Sequence, residues 1–68
     1  MPLSIPVIQR KLHHAIDRYV YFKEAAARAT KHDQPLAVEI FTEKANGWAA
    51  DVQGLQQLLQ TQLTEYVL

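Results

Sequence analysis

Two long segments of this sequence carry mostly apolar residues in alternating steps of three and four, and a short polar stretch separates them. In the first segment these residues are Ile5, Ile8, Leu12, Ala15, Tyr19, Phe22, Ala26 and Ala29, and in the second they are Val38, Phe41, Ala45, Trp48, Val52, Leu55, Leu59, Gln62 and Tyr66. This heptad spacing is typical of helices that pack side by side along a seam. It predicts two amphipathic helices whose seams face each other.

A reversal of the chain in the polar stretch places the two seams antiparallel and in a defined register. The facing pairs are then Ile8 with Leu59, Leu12 with Leu55, Ala15 with Val52, Tyr19 with Trp48, Phe22 with Ala45, Ala26 with Phe41, and Ala29 with Val38. Several pairs set a large side chain against a small one, which fills a core without strain. Because Leu55 lies in this seam, we expect Leu55→Asp to abolish folding by burying an unpaired charge.

Local signals give the bounds of the two helices. Ser4 can cap the first helix, and Pro6 suits its first turn, where a missing amide hydrogen costs little. Asp33 or Gln34 can cap a second helix that Pro35 opens. The sequence predicts a single domain over residues 1–68, with helix 1 at about 5–31, a loop at about 32–34 and helix 2 at about 35–66. The register passes Asn46-Gly47 without a skip, so we predict an uninterrupted second helix.

The composition limits where such a chain works. Half of the residues are hydrophobic (49%), and seven basic residues balance seven acidic ones, which is typical of a folded domain. The absence of cysteine favours a reducing compartment. The N-terminus lacks the pattern of a signal peptide, and no window reaches the roughly 18 apolar residues of a membrane span. We therefore expect a cytoplasmic protein with no membrane partner.

Two helices alone bury a narrow seam, which rarely suffices for a chain of this size. Outside the seam, one flank is largely apolar and the other is charged. The apolar flank comprises Ile16, Val20, Ala27, Ala49, Leu63 and Val67, and the charged flank comprises Lys11, Arg18, Lys44, Asp51 and Glu65. The fold class that we predict is therefore all-α: an antiparallel helical hairpin that assembles through the apolar flank as a homodimeric four-helix bundle. On the charged flank, Arg18 and Asp51 occupy facing positions and are expected to pair.

Charge is distributed unequally along the chain. Residues 1–34 hold six Lys/Arg and three acids, whereas residues 35–68 hold one Lys and four acids. Cations and an aromatic residue recur at helical spacing along helix 1, at Lys11, His14, Arg18, Tyr21 and Arg28. Such a stripe suits a nucleic-acid backbone with one stacked base. The zero net charge of the chain argues against this interpretation and favours a solvated helix face.

Few residues offer chemistry. His13 and His14 each lie within a turn of Asp17, but adjacent histidines point about 100° apart on a helix and cannot readily share one ion. There is no cysteine, one serine and no glycine-rich phosphate loop, so we predict neither an enzyme nor a cofactor. The sequence favours a small interaction or regulatory module that binds a protein. The alternatives are an RNA-binding regulator that uses the stripe, and a metal or small-molecule site within the bundle.

Overall fold

The computed structural model describes residues 4–67, with side chains from residue 4 to residue 65. It contains two helices that pack against each other, α1 (Ile5–Lys31) and α2 (Pro35–Val67), of 27 and 33 residues. The hairpin is a rod with extents of 52 × 18 × 14 Å. The prediction of an all-helical hairpin is confirmed, and α2 runs through Asn46-Gly47 without a break.

The N-terminal end of α1 forms as the sequence predicts. The Ser4 hydroxyl accepts a hydrogen bond from the backbone N–H of Val7 at 3.4 Å, and Pro6 lies in the first turn. At the other end, Arg28 and Lys31 place cations in the last turn, where they oppose the negative end of the helix dipole. Both ends of α1 are therefore stabilised locally.

The loop closes α1 with a Schellman motif. The backbone N–H of Asp33 donates to the carbonyl of Thr30 at 3.1 Å, and that of Gln34 donates to the carbonyl of Ala29 at 2.9 Å. Asp33 has a φ of 55°, the left-handed geometry that this motif requires. Asp33 therefore ends α1, and the Gln34 carbonyl accepts the first helical bond of α2, from Val38 at 3.0 Å.

The buried core of the described residues lies almost wholly on α1, and most of its side chains are alanines. Among the described residues, the buried hydrophobic ones are Ile8, Leu12, Ala15, Ala25, Ala29 and Ala45. The seam leucines of α2, Leu55 and Leu59, remain partly exposed. The expectation that Leu55 is a core residue is therefore wrong for the isolated hairpin, because α1 covers only one side of it.

The aromatic side chains depart from the predicted pairs. Phe22 stacks on Phe41 with ring centroids 6.2 Å apart, one turn nearer the loop than its predicted partner. The Trp48 and His14 rings form a T-shaped contact with centroids 5.5 Å apart. Trp48 lies on the opposite flank from Tyr19, with which it was expected to pair. Tyr19 and Trp48 face each other in the predicted register, and two bulky rings cannot interdigitate as a large and a small side chain do. Each ring therefore lies on its own flank.

The buried face of α1 also departs from a strict heptad near the loop. Ala25 is buried, whereas the predicted seam residue Ala26 is half-buried. Ala29 is a seam residue one turn later and is buried as the spacing predicts, so the departure is limited to this turn.

Candidate interaction surfaces

The apolar flank forms a groove between the middles of the two helices. This apolar groove has a volume of about 370 Å³ and is lined by Ile16, Tyr19, Val20, Ala49, Val52, Gln53 and Gln56. The structure thus brings together Ile16, Val20 and Ala49 of the predicted dimer face, with no charged residue among the lining side chains. Val20 is 44% exposed, so the groove opens to solvent.

The other predicted members of the dimer face lie towards the two ends of the hairpin. Ala27 is exposed near the loop, and Leu63 is 46% exposed in the last third of α2. Val67 belongs to α2, but its side chain lies outside the described residues. The groove lies at the middle of the rod, and neither Ala27 nor Leu63 lines it.

The charged flank holds a larger groove, of about 760 Å³. Its apolar lining comes from Ala15, Trp48, Leu55 and Leu58, and its polar lining includes Arg10, Lys11, His14 and Asp51. Trp48, Leu55 and Leu58 are each half-buried, so their outer faces are available to a ligand. The large groove thus combines an apolar floor with a rim that carries two permanent cations and one carboxylate.

A small groove of about 390 Å³ continues the large groove towards the loop. Trp48 and Asp51 line both grooves, and Arg18, Phe22, Lys44 and Gly47 complete the small one. The Lys44 ammonium lies 5.7 Å from the centre of the Phe22 ring. Arg18 and Lys44 add two more cations, so the joined grooves carry an excess of positive charge.

The predicted nucleic-acid stripe does not form one uniform surface. Lys11 and His14 line the large groove, while the Arg18 guanidinium lies 4.8 Å from the Tyr21 ring centre and 5.1 Å from that of Phe22. Tyr21 is 50% exposed, with its ring edge-on to Phe22 at 5.1 Å. Arg28 is exposed in the last turn of α1. Because Arg18 covers Tyr21, this ring offers less area for stacking than the sequence suggests.

Sequence reasoning missed the grooves on the charged flank. It assigned Trp48 to the core, Asp51 to an ion pair with Arg18, and no role to Arg10. The sequence does indicate a possible close approach of another helix at Gly47 and Gly54, which are seven residues apart and therefore share a face, but it does not indicate the grooves beside them. Both glycines line these grooves, and no neighbouring atom lies within 4 Å of a Cβ built on either of them.

The described residues offer no site for a metal ion. Over residues 4–65 no group of three or more His, Asp or Glu side chains is close enough to bind one. His13 and Asp17 are exposed, and His14 contacts Trp48 instead.

Neither described helix is long and apolar enough to cross a membrane. No protein-family model, no curated protein and no solved structure matches this chain.

Proposed function

We propose that this chain is a non-enzymatic interaction module that dimerises through its apolar flank into a four-helix bundle and binds another protein. The observation that carries the proposal is the incomplete burial of α2. Val52, Leu55, Leu58 and Leu59 are all partly exposed in the hairpin, and Ile40 and Leu63 are more exposed still, at 44% and 46%. A lone hairpin leaves this apolar surface in water.

The accessible surface area shows how much burial the lone hairpin lacks. The chain exposes 5352 Å², whereas a compact monomer of its mass exposes about 4,400 Å². The excess of about 1,000 Å² is close to the roughly 800 Å² that each partner buries in a standard protein interface. The radius of gyration, 15.4 Å, likewise exceeds the about 11 Å of a compact domain of this length. One extended contact on each hairpin would bring the molecule to normal burial.

The apolar groove is the best candidate for self-association. A two-fold dimer juxtaposes the same patch from both chains, so a charged patch would meet its own charge, whereas an uncharged one meets no repulsion. Ile16, Val20 and Ala49 provide such an uncharged patch at the middle of the rod. The grooves of the charged flank then remain free for a different partner. The absence of cysteine favours a cytoplasmic location for this assembly.

Sedimentation equilibrium tests the dimer with Val20→Glu and a matched control. Val20 is partly exposed, so the hairpin can accommodate glutamate there, but a two-fold contact would oppose the two new charges. We expect the dimer dissociation constant to rise at least about tenfold, the equivalent of 1.4 kcal/mol. Gln57→Glu adds the same charge on an exposed polar surface and should leave dimerisation unchanged.

Two further results bear on the same proposal. The melting temperature of the unmodified chain should rise with protein concentration, because dimerisation stabilises the folded state by mass action. Ile16→Glu should weaken the dimer as Val20→Glu does. A chain that sediments as a monomer at every concentration would refute the proposal.

A further inference from the structure

We propose that the joined grooves of the charged flank bind an acidic amphipathic helix of a partner protein. The inference rests on the proposed function, since it names the kind of partner that the module would bind. It concerns the flank that remains open when the apolar flank is covered by a second copy. The length, the apolar floor and the charge of these grooves all fit such a helix.

The length of the site matches a short helix. Along α1 the two grooves extend from Arg10 to Phe22, a distance of about 18 Å at 1.5 Å per residue. A bound helix of about three turns would span this length with one face on the hairpin. A helix in a groove binds through apolar residues at spacings of three and four, as calmodulin targets do.

The floor of the site suits the apolar face of such a helix. Trp48 lies at the junction of the grooves and is half-buried, and its ring makes a T-shaped contact with the exposed His14 ring. Rigid, partly covered aromatic residues at the centre of a contact are typical binding hot spots. Leu55 and Leu58 extend the apolar floor away from the loop.

The two glycines give a partner helix room to approach. Gly47 and Gly54 line the small and the large groove, and a Cβ at either position would meet open space. Two helices that pack closely have axes about 8 Å apart when small residues lie at the contact. In α2, therefore, the glycines place the backbone itself at the surface that a partner would contact.

Charge selects an acidic partner over a neutral one. Four permanent cations line the joined grooves, namely Arg10, Lys11, Arg18 and Lys44, and Asp51 is the sole carboxylate among the lining residues. Carboxylates that flank the apolar face of the partner would meet this rim. The same rim repels a basic helix, so the grooves discriminate between partners as well as attract one.

A helix fits this site better than a nucleic acid does. The Asp51 carboxylate lines both grooves and would repel a phosphate or a partner carboxylate beside it alike, so the charge of the rim does not separate the two partners. The rings of Tyr21 and Phe22 are already covered by Arg18, which leaves less face for stacked bases. The apolar floor has no counterpart on a phosphate backbone, whereas it matches leucine side chains.

Fluorescence anisotropy with a defined peptide tests the proposal on the full chain. The probe is a labelled synthetic peptide of about 14 residues, near the length at which an isolated helix becomes stable. It carries leucine at helical spacing and glutamate on both sides, and its matched control carries lysine in place of every glutamate. We expect saturable binding of the acidic peptide and at least about tenfold weaker binding of the basic one.

Substitutions at Gly54 locate the bound peptide. Gly54→Gln places a side chain in the open space of the large groove, and it should weaken binding at least about tenfold. Gly54→Ala adds a single methyl group and should change affinity by less than about twofold, which controls for altered helix propensity. Lys11→Glu should weaken the acidic peptide by about fivefold or more, because it reverses a charge at the rim.

Other outcomes would overturn the assignment. Equal binding of both peptides would refute charge selection, and unchanged affinity in Gly54→Gln would place the peptide elsewhere. A structured RNA hairpin that displaces the peptide at physiological salt, when the peptide itself binds weakly, would identify the site as a nucleic-acid surface. Dissociation of the dimer by Gly54→Gln would assign the grooves to a second copy of this chain.

The same measurements separate this inference from the dimer proposal. Gly54-sensitive peptide binding by a chain that sediments as a monomer would retain the grooves and refute the dimer. A dimer that is sensitive to Val20→Glu and binds no acidic peptide would do the reverse.

Discussion

The two helices have the same heptad spacing, but they differ in how much of it the hairpin buries. Among the described residues, α1 contributes five of the six buried hydrophobic side chains, including Ile8 at 0% exposure, and α2 contributes Ala45 alone. α1 also has a capped N-terminus and no interior glycine, whereas α2 contains Gly47 and Gly54. Within the hairpin, the apolar face of α1 is largely buried, whereas that of α2 is not.

The difference shows that periodicity specifies a contact face without specifying what covers it. Among the described residues, three of the five buried side chains of α1 are alanines, and α2 can approach closely there. The larger side chains of α2 extend past α1 on both flanks and line the grooves there. On our interpretation, α1 holds the hairpin together while α2 supplies most of the apolar surface for partners.

The largest expected contrast is between aspartate substitutions at two residues that the heptad pattern pairs. Leu12 is 9% exposed, so Leu12→Asp would bury a charge, at a cost comparable to the whole stability of a chain this small. Leu55 borders the large groove, where water can reach a carboxylate. Circular dichroism should show Leu12→Asp unfolded and Leu55→Asp still helical. Equal unfolding would mean that assembly buries Leu55 as deeply as Leu12.

A smaller contrast is expected when the side chains of another predicted pair are truncated. Ile8→Ala removes a fully buried side chain and should lower the free energy of unfolding by about 3 kcal/mol. Leu59 is partly exposed, so Leu59→Ala should cost about 1 kcal/mol. Urea denaturation at fixed protein concentration measures both. A larger loss for Leu59→Ala would reverse the roles that we assign to the two helices.

The sequence was sufficient to predict the helices and their antiparallel arrangement. Ser4, Pro35 and the polar stretch between the seams are local signals, and helix termini depend mainly on local chemistry. The sequence left Asp33 and Gln34 as alternative caps of α2, because an aspartate between two helices can end the first or cap the second. The hydrogen bonds from Asp33 and Gln34 back to α1 decide between these possibilities.

Periodicity alone could not predict on which flank each large side chain lies. Trp48 and Tyr19 share a level in the heptad pattern, but which flank each ring takes depends on the space left by its neighbours. The heptad pattern likewise favours Ala26 as a seam residue, but Ala25 is the more buried of the two. The grooves follow from these positions. The sequence therefore predicted that Ile16, Val20 and Ala49 share one flank, but not the cavities on either flank.

The glycines of α2 offer a test in which stability should increase. Gly47→Ala meets no neighbouring atom within 4 Å and removes the helix penalty of glycine, so it should raise the free energy of unfolding by about 1 kcal/mol. For a domain of this size, that gain raises the melting temperature by about 4–8 °C. A loss of stability in a thermal melt would show that a second chain packs against this glycine.

The smallest expected effect lies at the joint between the two helices, at Asp33. Its φ of 55° is left-handed, a conformation that glycine adopts without the steric cost that a Cβ imposes. Aspartate tolerates this geometry better than most residues, and glycine gains flexibility in the unfolded chain, so the two effects partly cancel. We expect Asp33→Gly to stabilise the hairpin by about 0.5 kcal/mol and Asp33→Ala to destabilise it by about 1 kcal/mol.

Thermal melts of the two variants at equal concentration measure the difference, and a more stable Asp33→Ala would show that the loop does not hold this residue in the left-handed region. Since the joint belongs to neither groove, both variants should keep the self-association and peptide affinity of the unmodified chain, which would separate the stability of the fold from the surfaces that it presents.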